Sequence, residues 1–78
     1  MKPVSAGQCR AARGLVGMSQ VELAEAAGVG RSTVADFERG AREPQPESLA
    51  ALRKALEAAG IEFLEETRTR GVGVCLRR

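Results

Sequence analysis

Seventy-eight residues with a formal net charge of +2 make room for one domain and one core, with roughly 60–65% of the unfolded chain's surface buried and a modest stability that a partner subunit would raise. The chain contains no His, Tyr or Trp, so the usual general base and the commonest metal ligand are missing, and Cys9 and Cys75 form no C-x-x-C and have no His to complete a zinc site. These absences disfavour an enzyme, a metal site and a cofactor, and the lack of any run near the ~20 apolar residues of a membrane span, or of a signal peptide from Met1, places the chain in the cytoplasm with reduced thiols.

Four helices are predicted in chain order. Ser5, with Gln8 three positions later, starts the first as a capping box, and Gly17 stops it near Val16; its inner face is Cys9, Ala12 and Val16. Ser19 with Glu22 opens a second, running to Ala27 and ending at Gly28. Gly30 leads into a third over Arg31–Arg39, closed by Gly40. Arg42 to Pro46 is an extended linker, because proline excludes the residue before it from helix. Pro46 then suits a first helical position, and Leu49, Leu52 and Leu56 give the fourth helix one apolar stripe before Gly60. Beyond Gly60 the period changes from helical to alternating. Ile61–Glu65 and Val72–Leu76 are β-prone and flank a polar stretch, and are predicted as two strands.

The segment from Gln20 to Arg39 carries the functional signal. Two short helices are joined by a tight turn at Gly28, where positive φ is needed. Leu23, Ala27, Val29, Val34 and Phe37 face inward from both helices, and Ala24 is small where they cross. This is the spacing a helix-turn-helix requires. The charge distribution agrees with an anionic partner on one side. Residues 1–17 hold Lys2, Arg10 and Arg13 and no acid; residues 43–67 hold six acids against Arg53 and Lys54; residues 68–78 hold four Arg and no acid.

Met18-Ser19-Gln20, Glu22-Leu23-Ala24, Ala27-Gly28-Val29, Arg31-Ser32-Thr33-Val34 and Phe37-Glu38-Arg39-Gly40, followed by Pro44 and Leu49, resemble the Cro and phage-repressor type of helix-turn-helix proteins, also called the xenobiotic response element family. The resemblance covers residues 5–59. It implies a mainly α, four- to five-helix, lambda-repressor-like domain over residues 1–60 that binds operator DNA, usually as a dimer. A short C-terminal pair of β-strands over 61–78 belongs to the same domain, where many relatives continue into a further helix. Gly30 replaces the Ser or Thr often found before the recognition helix, so that helix lacks a side-chain cap.

In such a motif the start of the recognition helix reaches base edges in the major groove. Arg31, Ser32 and, one turn on, Asp36 are the expected base contacts: Arg31 matches guanine and Asp36 can accept from cytosine N4, with a salt-bridge partner or a specificity filter as the alternative for Asp36. Thr33 is expected on a phosphate or sugar, as are Arg10, Arg39 and Arg42, with a solvated surface charge as the plain alternative for each arginine. Gln20 begins the second helix beside its free N–H groups, and the resemblance puts it on DNA. The resemblance also places Arg13 opposite Glu38 as a partly buried ion pair that orients the recognition helix.

The leading expectation is therefore a sequence-specific repressor of the bacterial cytoplasm, nucleoid-associated and homodimeric. Its alternative is an antitoxin-like module that grips a protein partner and autoregulates. One monomer covers one half-site, so the two-fold axis must come from elsewhere in the chain. The strands supply it in this expectation, burying Ile61, Phe63, Val72, Val74 and Leu76 between subunits or against the fourth helix, because an edge strand invites a partner. The other arrangement is a hairpin folded back on its own helix, with dimerisation elsewhere.

Overall fold

The structure is a computed structural model and describes residues 3–77. Helix α1 spans Ala6–Val16, α2 Gln20–Ala27, α3 Arg31–Glu38 and α4 Pro46–Ala58; strands β1 (Ile61–Leu64) and β2 (Gly73–Leu76) follow. Both capping boxes form: the Ser5 and Ser19 hydroxyls accept from the Gln8 and Glu22 amides, and those side chains accept from the cap residues' own N–H groups. Gly17 and Gly28 end their helices in the left-handed region, where a side chain would strain. Helix α3 closes one residue earlier than the Gly40 stop suggests, with Arg39 as its C-cap. Pro46 opens α4 at its first position.

Burial of the apolar stripes drives the packing. Cys9 and Ala12 from α1, Leu23 and Ala24 from α2, Val34 and Phe37 from α3, and Leu49, Leu52 and Leu56 from α4 make one core. No helix among the described residues is long and apolar enough to cross a membrane.

The strands form an antiparallel hairpin with Ile61 opposite Leu76 and Phe63 opposite Val74. Of the two placements expected for the apolar strand residues, Ile61 and Phe63 take the one inside the subunit, which corrects their assignment as dimerisation residues. Ile61 and Phe63 do not offer themselves to a subunit interface, because they are 0% and 8% exposed in the chain's own core. Strand β1 lies against α4, and the Arg53 guanidinium sits 4.8 Å from the centre of the Phe63 ring. Val74 is half-buried against the same core, whereas Val72 and Leu76 remain 46% and 49% exposed. The alternation of the strands shows which residues share a face; which body covers that face is a tertiary matter.

A second tie holds the hairpin down. The Gln8 amide, only 8% exposed, donates to the Gly73 carbonyl at 3.0 Å and the Leu64 carbonyl at 3.4 Å, while its oxygen accepts from the Ser5 N–H. One side chain therefore caps α1 and clamps the loop end of the β-pair. Gln8→Met keeps the volume and removes every one of these bonds. It is expected to cost about 1–3 kcal/mol in denaturant unfolding, the range for leaving buried polar groups unpaired, and to speed amide exchange in the hairpin more than in α2 or α3. Unchanged hairpin protection would mean that the strands hold without the clamp.

Candidate nucleic-acid interface

Helices α2 and α3 are joined by a turn of three residues, Gly28 to Gly30. Gly28 has φ 71°, its N–H returns to the carbonyls of Ala24 and Glu25, and the Val29 N–H follows to Ala24 at 3.0 Å. These bonds engage the Ala24 and Glu25 carbonyls in the last turn of α2 and aim the chain directly into α3. Gly30 caps α3 without a side-chain hydrogen bond, so the first N–H groups of that helix stay open at its positive end. Arg31 and Ser32 stand exposed there.

What holds α3 in place is a buried carboxylate. Glu38 is 3% exposed. Its two oxygens accept from Arg13 Nε at 2.7 Å and Nη2 at 2.6 Å, from Gln20 Nε2 at 3.1 Å and from Cys9 Sγ at 3.1 Å. The pairing of Arg13 with Glu38 is thus a two-pronged contact between α1 and α3. Arg13 also donates to the Met18 carbonyl at 3.0 Å, fastening the loop that leads into α2. Burial pushes the Glu38 carboxyl up, but the hydrogen bonds from Arg13, Cys9 and Gln20 outweigh it and hold the group below the ordinary carboxylate range. Burial and the adjacent carboxylate push the Cys9 thiol up to about 12, so the sulfur keeps its proton and donates it.

The remaining candidates fall into two groups. Ser32, Thr33, Asp36 and Arg42 line one polar cleft of about 240 Å3 beside α3, joined by Glu43, Gln45 and Ser48 of the linker and the start of α4. Asp36 and Arg39 pair with each other at 2.7 Å, one turn apart on α3. Gln20 and Arg10 are engaged elsewhere: the Gln20 amide is on Glu38, and the Arg10 guanidinium donates to the Glu38 carbonyl. Sequence reasoning missed Gln8, Glu43, Gln45 and Ser48. For Gln45 and Ser48 a signal existed in their places flanking the Pro46 helix start; for the clamp by Gln8 there was none, since its partners lie 56 and 65 residues away.

Among the described residues no cluster of His, Cys, Asp or Glu could hold a metal ion. A family model described as helix-turn-helix matches residues 10–63. Among solved structures the chain is similar to the wild-type restriction-modification controller protein C.Esp1396I, with 29% identity over 67% of this chain and 68% of that one and a TM-score of 0.63. It is similar too to the DNA-binding domain of the P22 C2 repressor, with 34% identity over 73% of this chain and 76% of that one and a TM-score of 0.62. A comparison with curated protein sequences gives no match.

The buried carboxylate is testable by substitution and by pH. Removing one partner of a buried pair leaves a desolvated charge, so Glu38→Gln should destabilise by about 3 kcal/mol, the lower part of the usual range since Arg13 is not fully buried. Arg13→Met with Glu38→Leu should recover part of that loss, and strictly additive effects in the cycle would show that the side chains do not work as a pair. Because the folded carboxyl is depressed, its contribution is present above the ~4.3 of an unfolded glutamate and is lost as pH falls through the folded value. Wild-type stability should therefore fall more steeply below about pH 4 than that of Glu38→Gln, and parallel acid profiles would contradict the assignment.

Proposed function

The chain belongs to the Cro/C1-type helix-turn-helix family, and on that premise we propose that it is a sequence-specific repressor that binds a two-fold-related operator as a dimer. The observation that carries this reading is the exposed, uncapped start of α3, with Arg31 and Ser32 on it, held at a defined angle by the Glu38 contacts. The helix-turn-helix family, the likeness to the DNA-binding domain of a repressor and the likeness to a restriction-modification controller protein support it.

In this reading Arg31 donates both arms of its guanidinium to guanine O6 and N7, and Ser32 contacts the adjacent base. Asp36 accepts from cytosine N4, Thr33, Arg39 and Arg42 meet phosphates, and so does Arg10 with the donors left over from Glu38. Gln20 offers a phosphate its backbone N–H and the side-chain amide N–H that is not on Glu38, at the start of α2. Two copies complete the operator. The two recognition helices then enter successive major grooves about 34–36 Å apart on one face of the duplex. Val72, Val74 and Leu76 are the part of the C-terminal pair left to join them, since Ile61 and Phe63 are committed to the core.

Selection of bound duplexes from random sequence tests the proposal. A two-fold-related consensus is the expected result; recovery without any preference would overturn it in favour of the protein-partner alternative or a non-specific binder. On that consensus, Arg31→Ala should cost about 1–3 kcal/mol and relax preference at one base pair in each half-site. Arg42→Ala should weaken all sequences alike and reduce the salt slope by about one unit per copy. An equal loss on every sequence for Arg31→Ala would move that residue from base to phosphate.

A further inference from the structure

We propose that the outer edge of β2 pairs antiparallel with β2 of a second copy of this chain, with the two-fold axis at Val74; the inference rests on the dimeric reading above and specifies its contact. The hydrogen-bond phase of the hairpin is the starting point. The Arg77 N–H donates to the Gly60 carbonyl at 2.7 Å, and the single Gln8 amide reaches the carbonyls of both Leu64 and Gly73, so those carbonyls point into the space between the strands. Opposed residues in an antiparallel pair alternate between bonded and non-bonded. With 60/77 and 64/73 bonded, Phe63 opposite Val74 and Ile61 opposite Leu76 are the non-bonded pairs. Val74 and Leu76 consequently turn their N–H and C=O groups away from β1. The sheet has only two strands among the described residues, and an unpaired edge of this kind is a template for another strand.

The side chains select the occupant. Val72, Val74 and Leu76 share one face, and Val72 and Leu76 are two of the four large hydrophobic side chains exposed on the described surface. The sequence Val72-Gly73-Val74-Cys75-Leu76 is self-complementary about its centre. With the axis at Val74, Val72 of each copy lies opposite Leu76 of the other. Moving the register by two residues keeps the backbone phase but in one direction sets Leu76 against Arg70, and in the other sets Val74 against Leu76 and takes Val72 out of apolar contact. Only the centred register matches apolar with apolar throughout, and moving by one residue turns every side chain to the wrong face. The product is a four-stranded sheet in the order β1-β2-β2-β1, an isologous contact of the kind a two-fold operator requires. Five residues per strand fall well short of the ~800 Å2 per partner of a standard interface, so the pair is weak alone and is completed on DNA.

The centred register also sets Gly73 of one copy opposite Cys75 of the other, as a non-bonded pair with Cα atoms about 4.5 Å apart, within disulfide reach. A Cβ at Gly73 meets nothing closer than Leu64 Cδ1 at 3.7 Å, and Cys9 is fully buried. The test is therefore mild oxidation of full-length Gly73→Cys, alone and with a duplex recovered by selection from random DNA, read on a non-reducing gel. A covalent dimer that forms far faster than with wild type, and that Leu76→Arg suppresses at least tenfold, is the expected result. Rapid cross-linking of wild type through Cys75 alone would move the axis and overturn the register. A dimer by sedimentation that forms no cross-link in Gly73→Cys and ignores Leu76→Arg would place the interface elsewhere and overturn the edge pairing while leaving the dimeric reading intact. One copy per selected duplex at saturation would overturn the dimeric reading itself.

Discussion

The arrangement of the first three helices depends on one buried carboxylate. A glutamate at 3% exposure is costly to fold around unless its oxygens are filled with donors. In this chain they are filled by Arg13 and Cys9 from α1 and Gln20 from α2, while Glu38 itself belongs to α3. The only geometry that satisfies the group is one in which the three helices meet at fixed angles. An apolar replacement of similar volume could match the stability of such a pair. What it would not supply is direction, since hydrogen bonds are angle-dependent and hydrophobic contacts are not. The short α2–α3 turn at Gly28 sets the coarse crossing, and the Glu38 contacts set the fine one.

This constraint joins fold to function. An Arg at the start of a helix opposes the helix dipole and adds nothing to folding, so Arg31 makes physical sense when an anionic or electron-rich partner lies beyond it. The absence of a side-chain cap at Gly30 leaves the same end of α3 open. The hairpin contributes at the other end of α1, where Gln8 links the helix that carries Arg13 to the strands that carry Val72 and Leu76. Helix α3 and the outer edge of β2 are thereby both anchored to α1.

Much of this was legible because it is local. Two capping boxes, the glycine stops, Pro46 and the leucine stripe of α4 are each decided within four residues of chain, and the change of period after Gly60 marked the strands. Long-range partners were not legible. The Arg13–Glu38 contact spans 25 residues and came from a family resemblance rather than from spacing. Gln8 advertised its capping role and hid its clamp. Ile61 and Phe63 showed that they share a face but not that α4 and the core would cover it. The Asp36–Arg39 pair, one turn apart, is the kind of salt bridge held open for Asp36 from the sequence, and the helical neighbour rule supplies its partner.

The most direct test of the carboxylate's role is the ratio of operator to random-duplex affinity for Arg13→Met with Glu38→Leu, compared with wild type under conditions where both unfold cooperatively above the assay temperature. If the carboxylate contacts aim the recognition helix, the doubly substituted protein keeps its non-specific affinity and loses at least tenfold of the ratio. A ratio equal to wild type in a stably folded double variant would show that helix packing alone sets the angle of α3, and would contradict the central role of Glu38.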